Sequence, residues 1–72
     1  MKSKYFAPGA DIPKKIKRVV YHNLWYWHMD LYDALDEAVR NHFNDAPKEL
    51  QDAFMKSDYR KYIPSVYLPE YL

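Results

Sequence analysis

Residues 14–46 contain neither glycine nor proline, and their apolar side chains recur at steps of three and four without a change of phase. An α-helix advances about 100° per residue, so residues at those steps share a face. Starting from Ile16, one arc collects Ile16, Val20, Leu24, Trp27, Leu31, Ala34, Leu35 and Ala38. The arc beside it collects Tyr21, Trp25, Tyr32, Val39 and Phe43, and only Lys17, His28 and His42 intrude on the two. The far side carries Arg18, His22, Asn23, Asp30, Asp33, Asp36, Glu37, Arg40 and Asn41, with Val19, Tyr26 and Met29 among them. This pattern predicts one long amphipathic helix over about residues 13–45, roughly 45 Å in length at about 1.5 Å per residue.

The flanks supply stop and start signals. Asp11, ahead of Pro13, is placed to cap the helix, and proline is tolerated in a first turn because its missing N–H would be unpaired there. Ala46 precedes Pro47, and a residue before proline is pushed out of helical geometry. A second, shorter helix is expected over about 47–62, capped by Asp45, with Leu50, Ala53, Phe54 and Ser57 as its apolar face. A rival parse gives residues 19–27 to a strand, since Val19, Val20, Tyr21, Trp25, Tyr26 and Trp27 are β-branched or aromatic. In that parse Asp30 and Asp33 start a fresh helix, and the order resembles the ribbon-helix-helix arrangement of small DNA-binding repressors. Clean alternation is missing from the would-be strand, and no turn glycine separates the helices. The expected fold is therefore all-α, with an extended arm over 1–12, a helical hairpin domain over 13–63 and an apolar tail over 64–72.

A chain of 72 residues buries only about 60% of its unfolded surface, and no cysteine is present to staple it. The long apolar stripe thus exceeds what the remainder can cover, which predicts that something else covers it. Eight tyrosines, three phenylalanines and two tryptophans point the same way, because amphipathic aromatics anchor interfaces. Tyr5, Phe6, Tyr67 and Tyr71 lie in the terminal segments, where a core does not obviously need them. The tail after Pro64 carries Val66, Tyr67, Leu68, Tyr71 and Leu72, more apolar than a free solvated tail.

Charge is divided along the chain. Residues 1–29 hold six cations against Asp11, residues 30–54 hold seven acids against Arg40 and Lys48, and the net is +1. A basic first stretch suits an acidic protein partner, a nucleic-acid backbone or an anionic membrane surface, and an antiparallel self-pairing of two long helices would also place plus over minus.

The chemistry of catalysis is not written in the sequence. His22, His28 and His42 share no face, and only His42 with Asp45 has ligand-like spacing, so no metal or other cofactor is expected. The carboxylates cluster on the polar side instead of in a cleft, and Gly9 is the only glycine, which leaves no phosphate loop. No apolar run is long enough to span a membrane, and the N-terminus lacks the apolar core of a secretory leader. The expectation is an intracellular chain, in cytoplasm or an organelle interior.

The function expected is that of a small non-catalytic protein-binding subunit or adaptor on a larger assembly. Its binding residues would be Tyr21, Trp25, Trp27, Tyr32, Val66, Tyr67, Leu68 and Tyr71, with Lys14, Lys15, Lys17 and Arg18 steering the encounter. In composition and layout the chain resembles the small accessory subunits of respiratory complexes and ribosomes. The alternatives are a dimeric DNA-binding regulator of phage or plasmid type, or an inhibitor of a host protein.

Overall fold

The computed structural model describes Phe6 and residues 11–63, and among these it is all-α, with no strand. Helix α1 spans Lys14–Trp25, α2 spans Leu31–Asn41 and α3 spans Lys48–Lys56, with a single 3-10 turn, Phe43–Asp45, between the last two. The continuous helix expected over 13–45 is thus two helices, and the second helix is shorter than 47–62. The longest dimension is 28 Å, too short for a 45 Å rod. The strand of the rival parse is also absent, since residues 19–25 are helical.

The break has local causes. After Trp25 the chain turns through residues 26–30, with His28 in the left-handed region at φ 57°. Histidine is among the non-glycine residues enriched there, so no glycine is required. The Met29 N–H then donates back to the Asn23 carbonyl at 3.1 Å, and Asp30 caps the next helix, its Oδ1 accepting from the Asp33 N–H at 2.8 Å. The Asp30–Asp33 spacing of the rival parse therefore marks a true helix start, while its strand does not exist.

The other expected caps are not used. Helix α1 starts from Pro13, whose carbonyl accepts the Lys17 N–H, and no described side chain caps it. Helix α3 starts from Pro47, again uncapped, because the Asp45 carboxylate is turned toward Lys15 at 3.3 Å and His42 at 3.7 Å. Ser57, at φ 54°, ends α3 in a Schellman arrangement: its N–H bonds the Phe54 carbonyl, and the Asp58 N–H reaches the Ala53 carbonyl.

Ile16 and Val20 of α1 meet Leu31, Ala34, Leu35, Ala38 and Val39 of α2 in one core, which Leu50 and Ala53 of α3 close from a further side. Phe6 and Ile12 are buried in it as well, so Phe6 fills the core after all. Beyond α3, Tyr59, Tyr62 and Ile63 fold back into the same cluster. The Tyr59 ring is 1% exposed, its hydroxyl donates to Asp36 Oδ1 at 2.6 Å, and its N–H donates to the Tyr32 hydroxyl at 3.1 Å. Burial, then the Asp36 bond, pushes the Tyr59 phenol above its usual range. Among the described residues, no helix is long and apolar enough to cross a membrane.

Candidate docking surface

Three consecutive aromatic residues cannot all face a helix interior, since at 100° steps they sweep about 200°. Trp25, Tyr26 and Trp27 occupy the end of α1 and the start of the turn, and they are 66%, 64% and 59% exposed. They form a convex aromatic corner. His22, one turn earlier, stacks on Tyr26 with centroids 5.1 Å apart, and Tyr26 meets Trp27 edge-on at 4.8 Å. Trp25 makes no ring contact with a described residue. Among the large apolar side chains of the described residues, only Met55, alone on α3, is as exposed.

The corner is held from inside. Asn23 is the buried polar residue of the described structure, and its side-chain amide donates to the Ala34 carbonyl of α2 at 3.2 Å. The Asn23 main-chain carbonyl accepts from the Met29 N–H while its side chain bonds Ala34, and together the two bonds fix the exit of α1 against the first turn of α2. A buried amide left unpaired would cost about 1–3 kcal/mol, so the pairing defines one corner geometry. The exposed rings therefore project from a rigid base.

The structure separates the residues that the sequence grouped. Trp25 and Trp27 stand together in solvent, whereas Tyr21 is half-buried against the core with its ring 6.1 Å from Phe6. Tyr32 is also half-buried, edge-on to Tyr59 at 5.4 Å, with its hydroxyl used as an acceptor. Trp27 was expected in the middle of the buried stripe, and its exposure is a correction that follows from the break after Trp25. Val66, Tyr67, Leu68 and Tyr71 lie outside the described residues.

Among the basic residues, Lys14 and Arg18 are exposed on α1 and make no ion pair with a described residue. Lys15 pairs with Asp45, and Lys17 sits 5.9 Å from the Phe6 ring centroid. Elsewhere Arg40 pairs with Asp36 and Glu37, Arg60 with Asp58, and Lys61 with Glu49. Tyr26 and His22 were placed on the polar side by the sequence pattern. The run of three aromatics was the signal that could have assigned Tyr26 to the surface cluster.

A concavity of about 380 Å³ lies between α3 and the turn after it, lined by Glu49, Asp52, Ala53, Lys56, Asp58, Arg60 and Lys61. Arg60 pairs with Asp58 at 3.1 Å and Lys61 with Glu49 at 3.5 Å, and the remaining charges, Asp52 and Lys56, are of opposite sign and exposed. Among the described residues, no group of three or more His, Asp or Glu could hold a metal ion. No protein-family model, curated protein or solved structure matches this chain.

Proposed function

We propose that this chain is a small non-catalytic protein-binding subunit or adaptor that docks through the aromatic corner Trp25–Tyr26–Trp27. The exposure of those three rings on a base pinned by Asn23 carries the reading. Tryptophan and tyrosine dominate the few residues that supply most binding energy in protein interfaces, and preorganised anchors lose little entropy on docking. Arg18 and Lys14, on the outward side of the same helix, would steer an approaching partner. A nucleic-acid role fits less well, because Lys14 and Arg18 beside the corner neutralise few phosphates and the acidic first turn of α2 repels them.

A photo-crosslinking residue in place of Tyr26, with a second chain carrying it in place of Lys48 as control, tests this in the source cell. Adducts with protein are expected at position 26 and not at 48, and they should vanish when Trp25 and Trp27 are both alanine although helix content is kept. A chain that stays free at position 26, or adducts that survive the loss of both tryptophans, would overturn the proposal.

A further inference from the structure

We infer that the occupant of the aromatic corner is a second copy of this chain, docked about a two-fold axis. The inference rests on the corner being a protein-docking surface and adds what docks there. Uncompensated charge of opposite sign flanks the rings. On the helix wheel Lys14, Arg18, His22 and Trp25 fall within about 80° of one another, opposite the buried Ile16, Val20 and Asn23, so a basic ridge runs into the corner. Arg18 lies about 10 Å from Trp25 along the axis. Between Ile12 and Met29 the sequence has no acid at all.

On the other side of the rings, Asp30 and Asp33 share the first turn of α2, both exposed and neither ion-paired with a described residue. The Asp33 carboxyl is raised above its usual range, first by the charge of Asp30 beside it. Through the corner the surface therefore runs plus, aromatic, minus. A two-fold interface brings residue i against j and j against i, so such a sequence is complementary to itself. Each copy supplies the counter-charge that the other lacks.

The area is adequate for a modest dimer. Aromatic side chains present about 150–250 Å² each, so three rings about three-fifths exposed offer roughly 300–450 Å² per copy. Two copies then bury roughly 600–900 Å² in rings alone, and the flanking charged side chains bring the total toward the low end, about 1,200 Å², of specific interfaces. A net charge of +1 puts almost no long-range repulsion between copies.

Both tryptophans of the chain stand in this corner, so its tryptophan emission reports on this surface alone. Sedimentation equilibrium of the full chain over micromolar to millimolar concentration, with emission recorded on the same samples, is the test. The expected result is a monomer–dimer equilibrium in which emission shifts to the blue and acrylamide quenching falls as dimer forms. Arg18→Glu and Asp33→Arg should each weaken the dimer about 10- to 100-fold, since like charges are then set face to face. Mixing the two variants should restore it. One contact then joins the two introduced charges, and its symmetry mate joins the native Arg18 to the native Asp33. Circular dichroism checks that both variants keep their helices.

A monomer at every concentration overturns the self-pairing, and so does a dimer whose emission and affinity ignore the corner. Either result leaves the crosslinking test to decide whether a different protein docks there. Quenching of the emission by single-stranded oligothymidylate, with no self-association, would overturn both readings in favour of nucleic acid.

Discussion

Two aromatic groups of this molecule have nearly the same ring geometry and opposite surroundings. Tyr32 and Tyr59 meet edge-on at 5.4 Å, and Tyr26 and Trp27 meet edge-on at 4.8 Å. In the first group every polar end is engaged: the Tyr59 hydroxyl bonds Asp36, whose second oxygen accepts from Arg40 at 3.1 Å. In the second group the rings touch each other and the His22 imidazole, and otherwise face water. Ring-on-ring geometry therefore does not separate core from surface in so small a protein. What separates them is whether the chain returns over the rings, as residues 57–63 do over Tyr32, or turns away from them, as it does after Trp27.

The sharpest way to break that comparison is to truncate both groups. Tyr59→Ala removes a ring that is 1% exposed and should cost about 3–5 kcal/mol in urea unfolding. Trp27→Ala removes one that is 59% exposed, and its cost should stay below about 1 kcal/mol. Equal losses would mean that the corner is part of the core and the two groups do not differ in kind.

Alkaline pH probes the same contrast more finely. The Tyr59 phenol is raised by burial and by its bond to Asp36, and Tyr62 is raised chiefly by burial. A raised folded-state value means that the stabilising contribution is complete below the unfolded value, about pH 10, and is lost as pH rises through the folded one. Stability should fall above about pH 10 by up to about 1.4 kcal/mol per pH unit for each such tyrosine. Tyr59→Phe should cost about 0.5–1.5 kcal/mol at neutral pH and make the alkaline slope shallower. A slope indifferent to Tyr59→Phe would contradict the buried-phenol assignment.

The sequence pattern held the helical class and most of the core, but not the path of the chain. Ile16, Val20, Leu31, Leu35 and Ala38 share a face on a helical wheel whether or not the helix is interrupted. Leu31 follows Ile16 by about 60° on a continuous wheel, so five intervening turn residues leave the phase looking intact. Periodicity therefore cannot see a reversal of this length. The decisive signals were polar and local: Asp30 with the Asp33 N–H, and Asn23, whose burial reflects a bond to α2 that no spacing rule predicts. Phe6 illustrates the same limit, because burial by a remote segment leaves no mark on the local pattern. The corner itself was half legible, since Trp25 and Trp27 could be singled out but their exposure depends on where α1 stops.

The smallest effects compare the two helix exits directly. His28 and Ser57 both hold positive φ, 57° and 54°, at the ends of α1 and α3. A left-handed residue with a Cβ is disfavoured by about 1–2 kcal/mol, and glycine gives back part of that relief through its freer unfolded chain. Ser57→Gly should therefore raise stability by about 0.5–1 kcal/mol, with the Schellman bonds to Phe54 and Ala53 intact. His28→Gly should gain a similar amount if the corner is held by Asn23 and Asp30 and not by the imidazole. Unfolding midpoints of the two variants decide this. Matching gains would make both exits ordinary backbone turns, so that the functional difference between them lies in the rings. A gain at Ser57 with a loss at His28 would instead assign the imidazole a part in holding the corner.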